Sequence, residues 1–164
     1  VSQPRRGPDP EACELTRPLA LTAEEQHRFQ DPGHIGRLLA AVQHIAVVGL
    51  SRRPERPSHY VPAYLQQAGY RVTPVTPHAG PILGLKTVPD LLSLPGPVDL
   101  ALVFRPGPLC IGVAEQAVSA GIPRIWFQRN IDALDAARFA CAHGLEVVLD
   151  RCMMVEHRRR VAYP

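Results

Sequence analysis

The stretch AVVGLSRRPERPSHYV, Ala46–Val61, decides the fold. An apolar run rich in β-branched residues meets Gly49 and passes into Arg52, Arg53 and Arg56, interleaved with Pro54 and Pro57. Val61, Tyr64, Leu65 and Ala68 then recur at helical spacing, and Gly69 supplies the stop. A continuous apolar run such as HIAVVGL predicts a strand buried on both faces rather than a half-exposed one. A strand that runs through a glycine-led loop into a helix opens a βαβ unit.

The rest of the chain repeats that grammar. YRVTPV, VDLALVF, RIWF and LEVVL read as further strands. Between them lie helical patterns at Cys110, Val113, Ala114, Ala117 and Val118, ended by Gly121, and at Leu134, Ala137 and Cys141, ended by Gly144. TPHAGPILGLKTV reads as a loop, with a short helical piece around Leu91 and Leu92, and DRCMMVEHRRR as a helix-compatible tail. Upstream, Thr22 and Glu25 form a capping-box pattern. Asp31-Pro32 starts a second helix, with Ile35, Leu38, Leu39 and Val42 on one face. Residues 1–20, rich in proline and charge, read as a loosely held arm before a single domain over 21–164. The prediction is an α/β, Rossmann-like, doubly wound parallel sheet of about five strands.

Composition narrows the function classes. A chain of 164 residues with 46% apolar content suffices for one core. No run of about 18 apolar residues predicts a membrane span, and no signal-length apolar stretch opens the sequence. Cys13, Cys110, Cys141 and Cys152 form no CxxC pair, which fits a reducing cytoplasm rather than a zinc knuckle or a thioredoxin motif. Cys110 and Cys141 are expected to be small buried hydrophobes. A net charge of +3 is modest for a nucleic-acid binder. The basic residues are arginine apart from Lys86, part of an Arg, Pro and Ala enrichment of the kind a GC-rich genome produces.

In a doubly wound sheet the ligand sits at the carboxyl ends of the strands where strand order reverses, so the Gly49 loop is the place to test. A dinucleotide fingerprint needs GxGxxG, and here Ser51 and Pro54 stand at the second and third glycine positions. An acidic residue about 20 residues on would hold the ribose. Val75, Thr76, Pro77 and His78 stand there instead. A classical NAD site is therefore disfavoured, and without GK[ST] so is a Walker loop. The loop still suits a phosphorylated ligand. Helix N-terminal amides attract anions, Ser51 offers a hydroxyl, Arg52, Arg53 or Arg56 offer charge, and Ser58 is the candidate N-cap.

These residues, with IAVVGLS, PERPS, YLQQAGYRV, PVTP, VDLALVFR, IWFQ and VVLDRCMMVEHRR in that order, resemble the small bacterial CoA-binding protein family. Its members are stand-alone relatives of the CoA-binding domain in the α subunit of succinyl-CoA synthetase. The resemblance runs from about Ile45 to Arg158, and the DRC…EH tail is its most specific part. It implies that Gly49, Leu50 and Ser51 hold the diphosphate of coenzyme A, and that Arg56 and Ser58 match a P-x-R-x-S segment. It also implies that Thr76 and Pro77 meet the adenosine end, and that Phe104 and Arg105 make further nucleotide contacts. Two positions depart from the family pattern: Thr76, where P-V-N-P is usual, and Asn130, where glycine is usual. Thr76 keeps a hydrogen-bonding side chain and Asn130 tolerates positive φ.

The expected ligand is coenzyme A or an acyl-CoA, without catalysis, nucleic acid or membrane, and with an unknown protein partner as a further option. A synthetase-type enzyme needs a second domain with a phosphorylatable histidine and a partner subunit, and no second domain is expected here, so ligase activity is not implied. The rival reading is an enzyme acting on CoA thioesters or using a nicotinamide nucleotide. A third is a regulatory protein whose CoA site reports acyl-CoA state. Asp150, Cys152, Glu156 and His157 are the only clustered candidates for such chemistry, as a Cys–His nucleophile pair or a metal site. Against that stand an Asp150–Arg151 salt bridge and a buried, slow Cys152. Arg158, Arg159 and Arg160 read as a solvated chain end.

Overall fold

The computed structural model describes residues 18–163. The expected arm therefore lies mostly outside the described residues, as does Cys13. In chain order the elements are α1 (Ala23–Gln30), α2 (Pro32–Ala41), β1 (His44–Val48), α3 (Pro57–Gln67), β2 (Arg71–Val75), β3 (Leu100–Val103), α4 (Gly107–Ser119), β4 (Arg124–Phe127), α5 (Leu134–Ala142), β5 (Glu146–Leu149) and α6 (Met153–Ala162). A 3-10 turn, Leu91–Ser93, precedes β3 where a short helical piece was expected.

The five strands form one sheet in the order β2-β1-β3-β4-β5, and every pairing is parallel. This is the predicted doubly wound architecture. Alternate residues of each strand face opposite layers. Ala46, Val48, Ala101, Val103, Ile125 and Phe127 pack with Phe29 of α1, Cys110 and Ala114 of α4, and Ala137 of α5. Ile45, Val47, Leu100, Leu102 and Trp126 pack with Leu38 of α2, Val61 and Leu65 of α3, and Met153 of α6. Both faces are covered, so the strands read as continuous apolar runs rather than alternating ones.

The N-terminal caps are those the sequence announces. Thr22 Oγ accepts from the Glu25 amide, and Glu25 in turn accepts from the Thr22 amide. Asp31 caps α2 through the His34 amide at 2.7 Å. At α3 the expectation changes: Arg56, not Ser58, is the N-cap residue, and Pro57 is the first helical position. Proline's fixed φ suits that position, so the helix begins before the serine can cap it.

Consecutive strands β1 and β2 lie beside each other, and the chain then crosses back to place β3 on the other side of β1. α3 packs in one layer and α4 in the other, so their loops part above β1 and β3. Gly107 allows α4 to start against the β4–α5 loop, because a Cβ there would overlap the Asp132 carbonyl oxygen. Gly107→Ala is expected to lower the melting temperature by about 2–12 °C, from about 1–3 kcal/mol of overpacking. Thermal denaturation followed by circular dichroism measures it, and an unchanged melting point would mean that the β4–α5 loop yields freely.

Candidate functional site

Three loops meet at the carboxyl ends of β1, β2 and β3, and they are bound to one another. The Gly49 amide donates to Val75 O at 3.0 Å and the Phe104 amide to Val48 O at 2.9 Å. Gly49 has φ +86°, and a Cβ built there would lie 2.9 Å from Arg105 Cδ and 3.3 Å from Phe104 O. The missing side chain at Gly49 thus serves the backbone first, by letting the end of β1 close onto the turn after β3. Gly49→Val would disturb that turn as well as any ligand space, so fold and binding cannot be separated at this position.

Between these loops and α4 lies a crevice of about 250 Å³. Gly49, Val48, Val75 and Arg105 line it from the sheet, Leu109, Gly112, Val113 and Gln116 from α4. The Arg105 side chain makes no hydrogen bond or ion pair to another described residue, so its guanidinium charge is available to a ligand. The turn carrying it is held by the Cys110 thiol, which donates to Arg105 O at 3.4 Å. Burial pushes that thiol up to about 11, so it stays protonated as a donor at neutral pH. Pro77 and Pro89 join the crevice to a second cavity of about 480 Å³ formed by Thr76–Pro81, Lys86 and Thr87.

The sequence-predicted residues fall into two groups. Gly49, Pro77 and Arg105 line the crevice directly. The others mostly shape its walls. Leu50 is buried. Ser51 binds the α3 end of its loop: its amide donates to Ser58 O at 3.0 Å, its hydroxyl accepts from the Arg53 amide at 3.1 Å, and its carbonyl meets His59 Nδ1 at 2.6 Å. Arg52 donates to Ala79 O at 2.6 Å and Gly80 O at 2.9 Å, clasping the β1 loop to the β2 loop. Arg53 lies 3.9 Å from Glu55 in an exposed pair, and the Arg56 side chain is exposed. Thr76 is buried and its hydroxyl accepts from the His78 amide at 3.3 Å, while Phe104 packs into the α2–α3–α6 layer. Sequence reasoning missed Pro89, Asp90, Leu109, Gly112, Val113 and Gln116. Their one signal was a glycine inside the helical pattern, at position 112.

The tail cluster is woven into the fold. Asp150, at φ +54°, accepts the Asn130 amide at 2.8 Å, and Asn130 itself has φ +66°. The carboxylate therefore ties two turns together instead of pairing with Arg151, whose guanidinium reaches Gln30 Oε1 at 3.4 Å. Gln128 Nε2 donates to Cys152 Sγ at 3.2 Å, and Trp126 Nε1 donates to Arg151 O at 2.7 Å. His157 Nδ1 instead meets Tyr64 OH at 2.8 Å, so Cys152 and His157 have separate partners. Glu156 pairs with Arg159 at 3.1 Å, and Arg158 stacks over the Tyr64 ring at 4.8 Å. No group of His, Cys, Asp and Glu among the described residues has a metal-binding arrangement.

Residues 43–158 match the family described as CoA binding domain. The chain belongs to that family. It is 38% identical over 131 residues to the uncharacterized protein YneT of Bacillus subtilis (strain 168), covering 79% of this chain and 97% of YneT. A hypothetical protein from Pyrococcus horikoshii OT3 superposes with a TM-score of 0.77 at 36% identity, over 90% of this chain and 99% of its own. An 80-residue segment is 34% identical to acetate–CoA ligase [ADP-forming] II of Archaeoglobus fulgidus, covering 48% of this chain and 12% of the ligase. No helix among the described residues is long and apolar enough to cross a membrane.

Two outcomes follow from the site's construction. Gly49→Ala must place a side chain at φ +86°. That costs about 1–2 kcal/mol, so the melting point should fall by roughly 2–8 °C. A stability equal to wild type would show that the Phe104–Arg105 turn can move away.

The second outcome concerns acid. Burial, then nearby Arg160, holds the His157 imidazolium below its ordinary value of 6.5, and burial, then Arg71, does the same to His44. The unfolded chain therefore binds more protons just below pH 6.5, and stability drops as pH falls from 6.5 through the folded values. His157→Gln should make the melting point less dependent on pH between about 7 and 5. Identical slopes in the two proteins would remove His157 from the account.

Proposed function

We propose that the protein is a cytoplasmic module that binds coenzyme A, free or acylated, in the crevice above β1 and β3, and performs no catalysis of its own. One observation carries the reading: the Arg105 side chain, without a partner among the described residues, lines the same crevice as Gly49 at the point where strand order reverses. A diphosphate there would meet a guanidinium and exposed backbone, and the rest of a long ligand could continue past Pro77 and Pro89 into the β2-loop cavity. Membership in the CoA binding domain family supports this ligand over a nicotinamide nucleotide. So does the loop, with Ser51 and Pro54 where a dinucleotide site needs glycines.

The non-catalytic part of the proposal rests on side-chain commitments. Cys152 and His157, the candidates for nucleophile and base, are held by Gln128 and Tyr64. A nucleophile needs its base within about 2.6–3.2 Å.

Differential scanning fluorimetry with CoA and with NAD tests the ligand. CoA at about 100 times its Kd should stabilise by about 2.7 kcal/mol, which is roughly 5–11 °C for a domain of this size, and NAD should give no shift. A shift with NAD and none with CoA would overturn the reading. Arg105→Ala should weaken CoA binding by about 10- to 150-fold, the range for one lost charged hydrogen bond. Isothermal titration reads that loss directly.

A further inference from the structure

α4 carries a glycine where a helix gains nothing from one. Gly112 lies well inside Gly107–Ser119, and a glycine in a helix interior is less stable than alanine. No close packing explains it: a Cβ built at Gly112 meets no neighbouring atom within 4 Å. That contrasts with Gly107 in the same helix, whose missing side chain is required by the Asp132 backbone. Nor does Gly112 need a special backbone conformation, since it is not among the positive-φ glycines.

Its position supplies the reason. Leu109, Gly112, Val113 and Gln116 share one helical face by their spacing, and all of them line the crevice beside Gly49 and Arg105. Gln116 Oε1 accepts the Leu91 amide at 3.2 Å, which ties α4 to the 3-10 turn that follows the crevice residues Pro89 and Asp90. Any side chain at 112 would enter this space rather than the core.

We propose that Gly112 is a specificity-determining residue: its missing side chain keeps the crevice open for the part of CoA next to the diphosphate. The inference rests on the CoA reading above and refines it. Position 112 then limits ligand bulk, while Arg105 contributes charge.

A matched set of variants tests it, with CoA titrated calorimetrically into each. Gly36 is the control, because it too lies inside a helix, α2, with no neighbour within 4 Å of a built Cβ, but it lines neither the crevice nor the β2-loop cavity. Gly36→Ala and Gly112→Ala should both raise the melting point of the ligand-free protein by about 1–4 °C. Gly36→Ala should leave the CoA Kd unchanged. Gly112→Ala should raise it about threefold, and Gly112→Leu at least about tenfold, with the folded state retained by circular dichroism. Wild-type protein that binds CoA, together with Gly112 variants of unchanged Kd, overturns this inference alone. Wild-type protein that fails to bind CoA overturns the functional reading and this inference with it. Should leucine unfold the chain, the alanine pair decides, since helix propensity favours both members.

Discussion

The backbone crossing at Gly49 governs the ligand end of the molecule. β1 is flanked by β2 and β3, and all three strands must release their chains at the same edge without collision. At φ +86° the chain turns out of the sheet, close enough to the next turn that a methyl group would touch Arg105 and the Phe104 carbonyl. Its amide still completes a hydrogen bond to Val75 O. The crevice, the placement of Arg105 and the angle of the β1 loop all descend from that approach. A glycine usually explained by ligand access is here also a condition of strand packing.

Around that point the arginines divide their labour. Arg52 is spent on two carbonyls of the β2 loop, Arg151 on Gln30, and Arg158 on an aromatic face. Arginine's planar fork with several donors suits such multi-point ties better than a lysine ammonium would. Arg105 stands apart because no side chain among the described residues pairs with its guanidinium. A basic side chain left unmatched beside a crevice is a more specific signal of an anionic ligand than the overall charge of +3.

The tail shows how a motif that looks catalytic can be structural. Polar groups at the ends of β4 and β5 would be left without partners under α6 unless something met them. Gln128 meets the Met153 amide and Cys152, Trp126 meets Arg151 O, and Gln30 meets Leu149 O. The DRC…EH pattern thereby locks the last strand to the last helix and anchors α6 against Tyr64 and Tyr70 of the same layer. The short match to acetate–CoA ligase spans 12% of that protein, so the kinship is one of domain and fold.

The alternation of strands and helices, the starts of α1 and α2 and the Gly49 loop were legible in the sequence because each depends on local signals. Buried strands need continuous apolar runs, Thr22 and Asp31 cap with their own side chains, and Gly49 interrupts a run where only a turn fits. The start of α3 was misread by two residues, since Pro57 dictates its own φ and Ser58 could not compete. The crevice was only half legible. Gly49 and Arg105 follow strands and announce themselves, whereas Leu109, Gly112 and Val113 look like any amphipathic helix until α4 is laid against β1 and β3. Likewise Arg52, Arg53, Arg56 and Arg105 are equivalent as letters. Only the folded chain decides that Arg52 is occupied by Ala79 and Gly80 and that Arg105 is not, because hydrogen-bond satisfaction depends on which distant carbonyls arrive within about 3 Å.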